Sequence, residues 1–303
     1  MNPIIKFIMK FASSPRIDIQ EDYTWIRKVQ KLFYSTSKDE YQFLDKKIYA
    51  PEEGHEIPVR IFYPKERLHE EHIIYIHGGG WVIGDIDTYT SACANLANKL
   101  GRVVYSIDYR LAPENPFPAG LNDCLTAIDY LLTPKPGDKK QKWILMGDSA
   151  GANLAAVVSL KRRDENKSLP DSQVLLYPLT HWDHTEESPF ESVRTNGYDY
   201  GLTTKKVQEY MELYVPDEQE RKTPYLAPLM AENLANQPDT LVITAEFDPL
   251  RDEGEAYGAA LKKAGNRVQV KRILDAVHGF ITYPPYVTPL AEAYKIMNEF
   301  LNQ

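Results

Sequence analysis

The chain has 303 residues, with 43 acidic against 35 basic side chains for a net charge of −8, and is 43% apolar and 11% aromatic. That balance excludes disordered, fibrous and membrane-embedded classes. The acid excess also argues against nucleic acid as a partner, because a phosphate backbone is gripped by a basic stripe. The basic clusters Lys139-Lys140-Gln141-Lys142 and Lys161-Arg162-Arg163 sit among acids and turn residues and read as solvated loops and helix ends.

The length allows roughly two domains or one elaborated α/β domain. At the start, Ile4, Ile8 and Phe11 recur at helical spacing and predict a short amphipathic helix. Lys6 and Lys10 leave only Phe7-Ile8-Met9 as a continuous apolar run, too short for a secretory signal. Nothing approaches the ~18 apolar residues of a spanning helix, so stable membrane insertion is not expected.

From about residue 57 strand and helix patterns alternate, which predicts a mainly parallel sheet with helices on both faces. Ile57 to Tyr63 alternates like a half-buried strand. Ile73 to Ile76 is a short apolar run ending at His77 and three glycines, a buried strand feeding a tight loop. A helix follows, with Asp87 or Thr88 as its N-cap and Gly101 as its stop. Val103 to Ile107 predicts a strand, Ala119 to Leu132 a helix, and Trp143 to Met146 a strand running into Gly147-Asp148-Ser149-Ala150-Gly151 and a further helix. Val174 to Tyr177 is the next strand. The polar and aromatic stretch from His181 to Gly201, with a helix from about Thr203 to Val215, then reads as an insertion above the sheet. Regular units resume with strand Thr240 to Ala245, helix Glu253 to Ala264, strand Val268 to Ile273 and a last helix from about Pro289 to Leu301. Cys93 and Cys124 fall inside predicted helices and read as packed, reduced thiols of a cytoplasmic protein.

The pentapeptide at 147–151 fits G-x-S-x-G. A nucleophile on a sharp strand-to-helix turn needs small residues two before and two after it, and a helix N-terminus beneath it favours a developing oxyanion. His77-Gly78-Gly79-Gly80-Trp81 supplies backbone amides that a ligand can approach without side-chain obstruction. Nucleotide loops fail on spacing: Ile83 stands where the last glycine of G-x-G-x-x-G belongs, and no Gly-Lys-Ser/Thr follows. A serine needs a base and a supporting acid. Asp248 lies 99 residues after Ser149, and His278 lies 30 residues after Asp248, each beyond a predicted strand.

These stretches, with Asp108 to Glu114 and Asp248-Pro249-Leu250-Arg251-Asp252-Glu253, resemble the motif set of the hormone-sensitive-lipase-like branch of the α/β-hydrolases, acetyl esterase-like bacterial enzymes with HGGG and GDSAG motifs. The resemblance implies an α/β-hydrolase fold, with a catalytic core over 46–179 plus 224–303 and a helical lid from 1–45 plus 180–223. It implies Ser149 as nucleophile, His278 as general base and acid, Asp248 as the orienting carboxylate, and an oxyanion hole from the N–H groups of Gly79, Gly80 and Ala150.

The expected activity is a serine carboxylesterase acting on short acyl esters. Its partner is a small-molecule ester, a homodimer is compatible with it, and no metal or organic cofactor is required. An amidase, formamidase or peptidase would use the same triad, and a small-molecule receptor could be built on the same fold. Asp252 and Asp275 are competing carboxylates; Asp252 suits the start of a helix and Asp275 the loop before His278. Asp148 reads as a surface-satisfied side chain or a tuner of the serine, and His77 as a brace for the glycine loop. His69 to His72 and His181 to His184 lack the spacing and partners of metal sites and read as solvated loops. Tyr198, Tyr200, Tyr210 and Tyr214 are candidates to line an apolar pocket.

Overall fold

The computed structural model describes residue 13 and residues 18–34, 41–134, 141–284 and 287–303. The expected helix through Ile4, Ile8 and Phe11, and Lys139 and Lys140 of the basic cluster, lie outside these residues. Eight strands form one sheet: β1 (Phe43–Ala50), β2 (His55–Phe62), β3 (His72–Ile76), β4 (Val103–Ile107), β5 (Trp143–Asp148), β6 (Ser172–Leu176), β7 (Asp239–Phe247) and β8 (Val268–Val277). Their order is β1-β2-β4-β3-β5-β6-β7-β8. From β4 to β8 every neighbouring pair is parallel, while β2 runs antiparallel to both β1 and β4.

The helices are α1 (Ile19–Tyr34), α2 (Thr90–Leu100), α3 (Ala119–Leu132), α4 (Ala150–Asp164), α5 (Glu191–Asn196), α6 (Thr204–Tyr214), α7 (Arg251–Lys263) and α8 (Thr288–Leu301). Strand residues point alternately to the two faces, so consecutive apolar residues feed two separate cores. Ile74, Ile76, Leu145 and Val242 pack with α3, α4 and α7 on one face. Ile73, Tyr75, Met146 and Ile243 pack with α2 and α8 on the other. Burying both faces explains why the central strands are continuous apolar runs.

The local signals act as expected at several boundaries. Gly101 ends α2 in the left-handed conformation, φ 60°, and its N–H returns to Ala97 O. Thr203 caps α6 by accepting from the Lys206 N–H. The start of α2 differs from expectation: Thr88 and Asp85 close a turn on each other, with each side chain accepting from the other's N–H, and the helix begins at Thr90. The strand β1 and the short helix α5 were not foreseen. In β1 five of eight residues are exposed, so no alternation of buried apolar residues marks it.

α1 lies across α6. Its first N–H, at Ile19, donates to Glu209 Oε2 at 3.0 Å. Arg27 donates at 2.7 Å to the carbonyls of both Val82 and Ala112 and pairs with Glu114. Among the described residues no helix is long and apolar enough to cross a membrane.

Candidate active site

The turn after β5 is as tight as its small residues suggest. Ser149 sits at φ 53°, ψ −122°, a backbone conformation that side-chain-bearing residues rarely adopt, immediately before the first residue of α4. A Cβ on Gly147 would come within 2.4 Å of Gly151 O, and one on Gly151 within 2.1 Å of Ile76 O. The Ser149 N–H donates to Leu176 O at 2.9 Å, tying the turn to β6. The serine is therefore held at the carboxyl edge of the parallel strands.

The structure brings the three predicted reactive side chains together. His278 Nε2 lies 2.8 Å from Ser149 Oγ, and His278 Nδ1 lies 2.8 Å from Asp248 Oδ2. A carboxylate only accepts, so Nδ1 is the nitrogen that donates to Asp248, which leaves Nε2 to face the serine hydroxyl. Asp248 is fully buried, and its other oxygen accepts the Leu250 N–H at 2.9 Å. The Tyr177 ring packs against the imidazole at 4.8 Å between centroids. Of the competing acids, Asp252 lies in the first turn of α7, accepting from Ser192 N–H, and Asp275 sits in β8 at φ 58°. Neither meets His278.

The glycine loop closes over the serine. Gly79 at φ 111° has no room for a Cβ, which would lie 2.1 Å from Ile83 O; one on Gly80 would enter the Tyr210 ring at 2.3 Å. Among the described residues the N–H groups of Gly79, Gly80 and Ala150 have no protein acceptor. His77 accounts for the loop's posture: its Nδ1 lies 2.8 Å from Gly78 O, and its ring stacks on Tyr109 at 4.4 Å. Burial pushes its pKa down, favouring the neutral ring.

Asp148 is not a surface residue. It is 1% exposed, and its carboxylate accepts from Tyr75 OH at 2.7 Å, Gly78 N–H at 2.8 Å, Tyr89 OH at 3.1 Å and Tyr177 OH at 3.4 Å. Burial raises its pKa, and the bonds from Tyr75, Gly78 and Tyr89 oppose that rise. Tyr177 OH also accepts the Ile281 N–H at 3.3 Å, so one carboxylate links the glycine loop with the segment following His278.

Two further expectations are corrected. His184 is not solvated: its Nε2 lies 2.7 Å from Glu253 Oε2 with both side chains fully buried, and Glu253 Oε1 accepts the N–H groups of Thr180 and His181. Arg162 is 3% exposed and pairs with Asp129. Asn153, on α4, donates to Leu179 O at 2.9 Å and Leu226 O at 2.6 Å, anchoring both ends of the insertion. Asn196 donates to Asp248 O at 3.3 Å. These partners are distant in sequence, and no local pattern announces them.

A cavity of about 250 Å³ opens above Ser149 and His278. Its apolar wall comes from Ile83, Leu179, Leu202, Val207, Tyr210 and Leu250. Of the four insertion tyrosines only Tyr210 lines it. Tyr214 instead stacks on Trp81 at 4.6 Å, Tyr200 stacks on Phe247 at 4.9 Å, and Tyr198 is exposed. Cys93 and Cys124 are buried, free thiols. Among the described residues no group of three or more His, Cys, Asp or Glu is placed to hold a metal.

Residues 73–282 match a family described by its alpha/beta hydrolase fold. An arylesterase of Saccharolobus solfataricus is 37% identical over 77% of this chain and 75% of its own. An ethyl acetate hydrolase of Pseudomonas putida is 32% identical over 83% of this chain and 80% of its own. The solved structure of a hyperthermophilic esterase from Pyrobaculum calidifontis superposes with a TM-score of 0.87, at 33% identity, over 99% of this chain and 97% of that one.

Proposed function

The chain belongs to the α/β-hydrolase fold family, in its hormone-sensitive-lipase-like branch, and is a carboxylic ester hydrolase; on that footing we propose that Ser149, His278 and Asp248 carry out the hydrolysis through an acyl-enzyme. Ser149 Oγ attacks the ester carbonyl while His278 Nε2 takes its proton, and the same imidazole hands that proton to the departing alcohol. Water, deprotonated in turn by His278, then releases the acid. Asp248 holds the ring in the tautomer that faces the serine. The N–H groups of Gly79, Gly80 and Ala150 receive the charge that develops on the carbonyl oxygen.

One observation carries this reading: the unbroken line of contacts, 2.8 Å and 2.8 Å, from Ser149 through His278 to a buried carboxylate. The reading extends to a lid from the N-terminal segment, to about residue 45, and residues 180–223. It is supported by α1 lying across α6 and by the cavity wall that Leu202, Val207 and Tyr210 supply. Short acyl esters fit a cavity of about 250 Å³, and buried thiols suit a cytoplasmic location. The test is Ser149→Ala, which should lower kcat toward 4-nitrophenyl acetate by about 10⁶-fold and abolish labelling by a fluorophosphonate. Retained turnover with an intact fold would refute the assignment.

A further inference from the structure

Three cavities meet at one side chain, Gln30 of α1. It lines the cavity above Ser149; a largely apolar groove of about 360 Å³ between α1 and α6, walled by Ile19, Ile26 and Val29 with Lys206 beside them; and a charged cavity of about 650 Å³ that includes Arg27, Lys31, Asp85 and Asp108. Leu202 and Tyr210 border both the catalytic cavity and the apolar groove. The partition between those two spaces is therefore formed by Gln30, Leu202 and Tyr210.

Gln30 breaks the pattern of its own helix. Ile19, Ile26 and Val29 recur at helical spacing on the face toward α6. The polar side chains on the inner side of α1 are otherwise satisfied: Asp22 accepts the Asp18 N–H at 3.0 Å, and Arg27 reaches two carbonyls and Glu114. The Gln30 side-chain carbonyl is buried and, among the described residues, has no hydrogen-bond partner. An unpaired buried acceptor is destabilising, whereas an apolar residue there would complete the stripe at no such cost. Local rules are broken in this way chiefly where function requires it.

We propose that Gln30 is a specificity-determining residue: esters whose longer arm parts Leu202 from Tyr210 to enter the apolar groove uncover the Gln30 carbonyl and are recognised through a hydroxyl or amide N–H that donates to it. The inference rests on the hydrolase reading above. The preferred substrate class is then an ester with an apolar arm interrupted by one hydrogen-bond donor, in place of a plain alkyl ester of equal length.

The test compares, within each protein, kcat/KM for an ω-hydroxylated substrate with that for its plain counterpart. One arm uses 4-nitrophenyl alkanoates of two to twelve carbons and the other uses alkyl acetates, which tells whether the acyl or the alcohol half occupies the groove. In one arm the parent should favour the hydroxylated member by about tenfold at the matching length, the effect of one hydrogen bond to an otherwise unpaired group. Gln30→Met, similar in length but without the acceptor, should bring that ratio to about one. Gln30→Ala should also bring it to about one and move the optimum toward longer plain chains. Cleavage of 4-nitrophenyl acetate with no preference in either arm, or a preference that survives in Gln30→Met, overturns the role of Gln30 alone. Absence of cleavage in both series together with no fluorophosphonate labelling overturns the hydrolase reading and this inference with it.

Discussion

Replacing Asp148 tests whether the cradle beneath the serine turn is as demanding as its geometry implies. In Asp148→Ala the Gly78 N–H, the Tyr75 hydroxyl and the Tyr89 hydroxyl each lose a partner at 2.7–3.1 Å. All three donors are buried, and an unsatisfied buried donor costs about 1–3 kcal/mol. Taking the lower half of that range for each, because hydroxyls can rotate toward other acceptors, gives a loss of about 3–6 kcal/mol. That is a large part of the ~5–15 kcal/mol that typically separates folded from unfolded chains. Asp148→Asn behaves differently. The retained oxygen still accepts from Gly78 and Tyr75, while the new amide donates to the hydroxyls of Tyr89 and Tyr177, which can turn to accept. The expected loss is about 1 kcal/mol. Urea unfolding followed by circular dichroism at pH 7 measures both. An alanine variant within about 1 kcal/mol of the parent would show that these three contacts do not act as a buried, satisfied set, and the reasoning would fail.

Asp248→Asn should fold normally yet lose about 10⁴-fold in kcat, because the amide donates to His278 Nδ1 and leaves a proton on Nε2, facing Ser149; initial rates with 4-nitrophenyl acetate give the answer, and a loss under tenfold would contradict the tautomer argument. Gly151→Ala should lower thermal stability sharply, since its Cβ would lie 2.1 Å from a main-chain carbonyl of β3 that cannot yield; an unchanged melting temperature would mean the turn is looser than described. Asp108 is pushed up to about 6 from the ordinary 3.8, first by burial, with Asp85 and Asp87 adding to the rise and the Ile86 N–H and Lys31 opposing it. The folded state therefore keeps a proton that the unfolded chain releases, and stability falls by up to about 3 kcal/mol as pH rises from about 4 to about 6. Asp108→Asn should flatten that segment of the profile, and an unaltered slope in urea titrations would remove Asp108 as its source.

What could be read from the residues was whatever is written locally. Val103–Ile107 and Ala119–Leu132 match their expected bounds, because an apolar run interrupted only by Ser106 and a 3.6-residue period end at clear stops. The convergence of Ser149, Asp248 and His278 was legible because each follows a strand in a recognisable motif. Residues whose meaning depends on distant partners were misread. Asp148 is polar and sits at a turn, which locally signifies a surface; only Tyr75, Tyr89 and Tyr177, up to 73 residues away, make it a buried acceptor. His184 looked solvated for the same reason, its partner Glu253 lying 69 residues on. The strand β1 escaped notice because an edge strand with one lightly buried face carries little apolar alternation.

Ser149 follows β5, while Asp248 and His278 follow β7 and β8, the last two of the described strands in chain order. The serine and its base are 129 residues apart in the chain, and the parallel pairings that unite them must each close a long loop before any contact repays the entropy. A nascent or truncated chain lacking β8 and the residues after it would display Ser149 without the imidazole proposed to activate it. On the proposed triad, hydrolysis would switch on only when the far edge of the sheet is zipped, which would make the onset of turnover during refolding a direct clock for completion of the sheet.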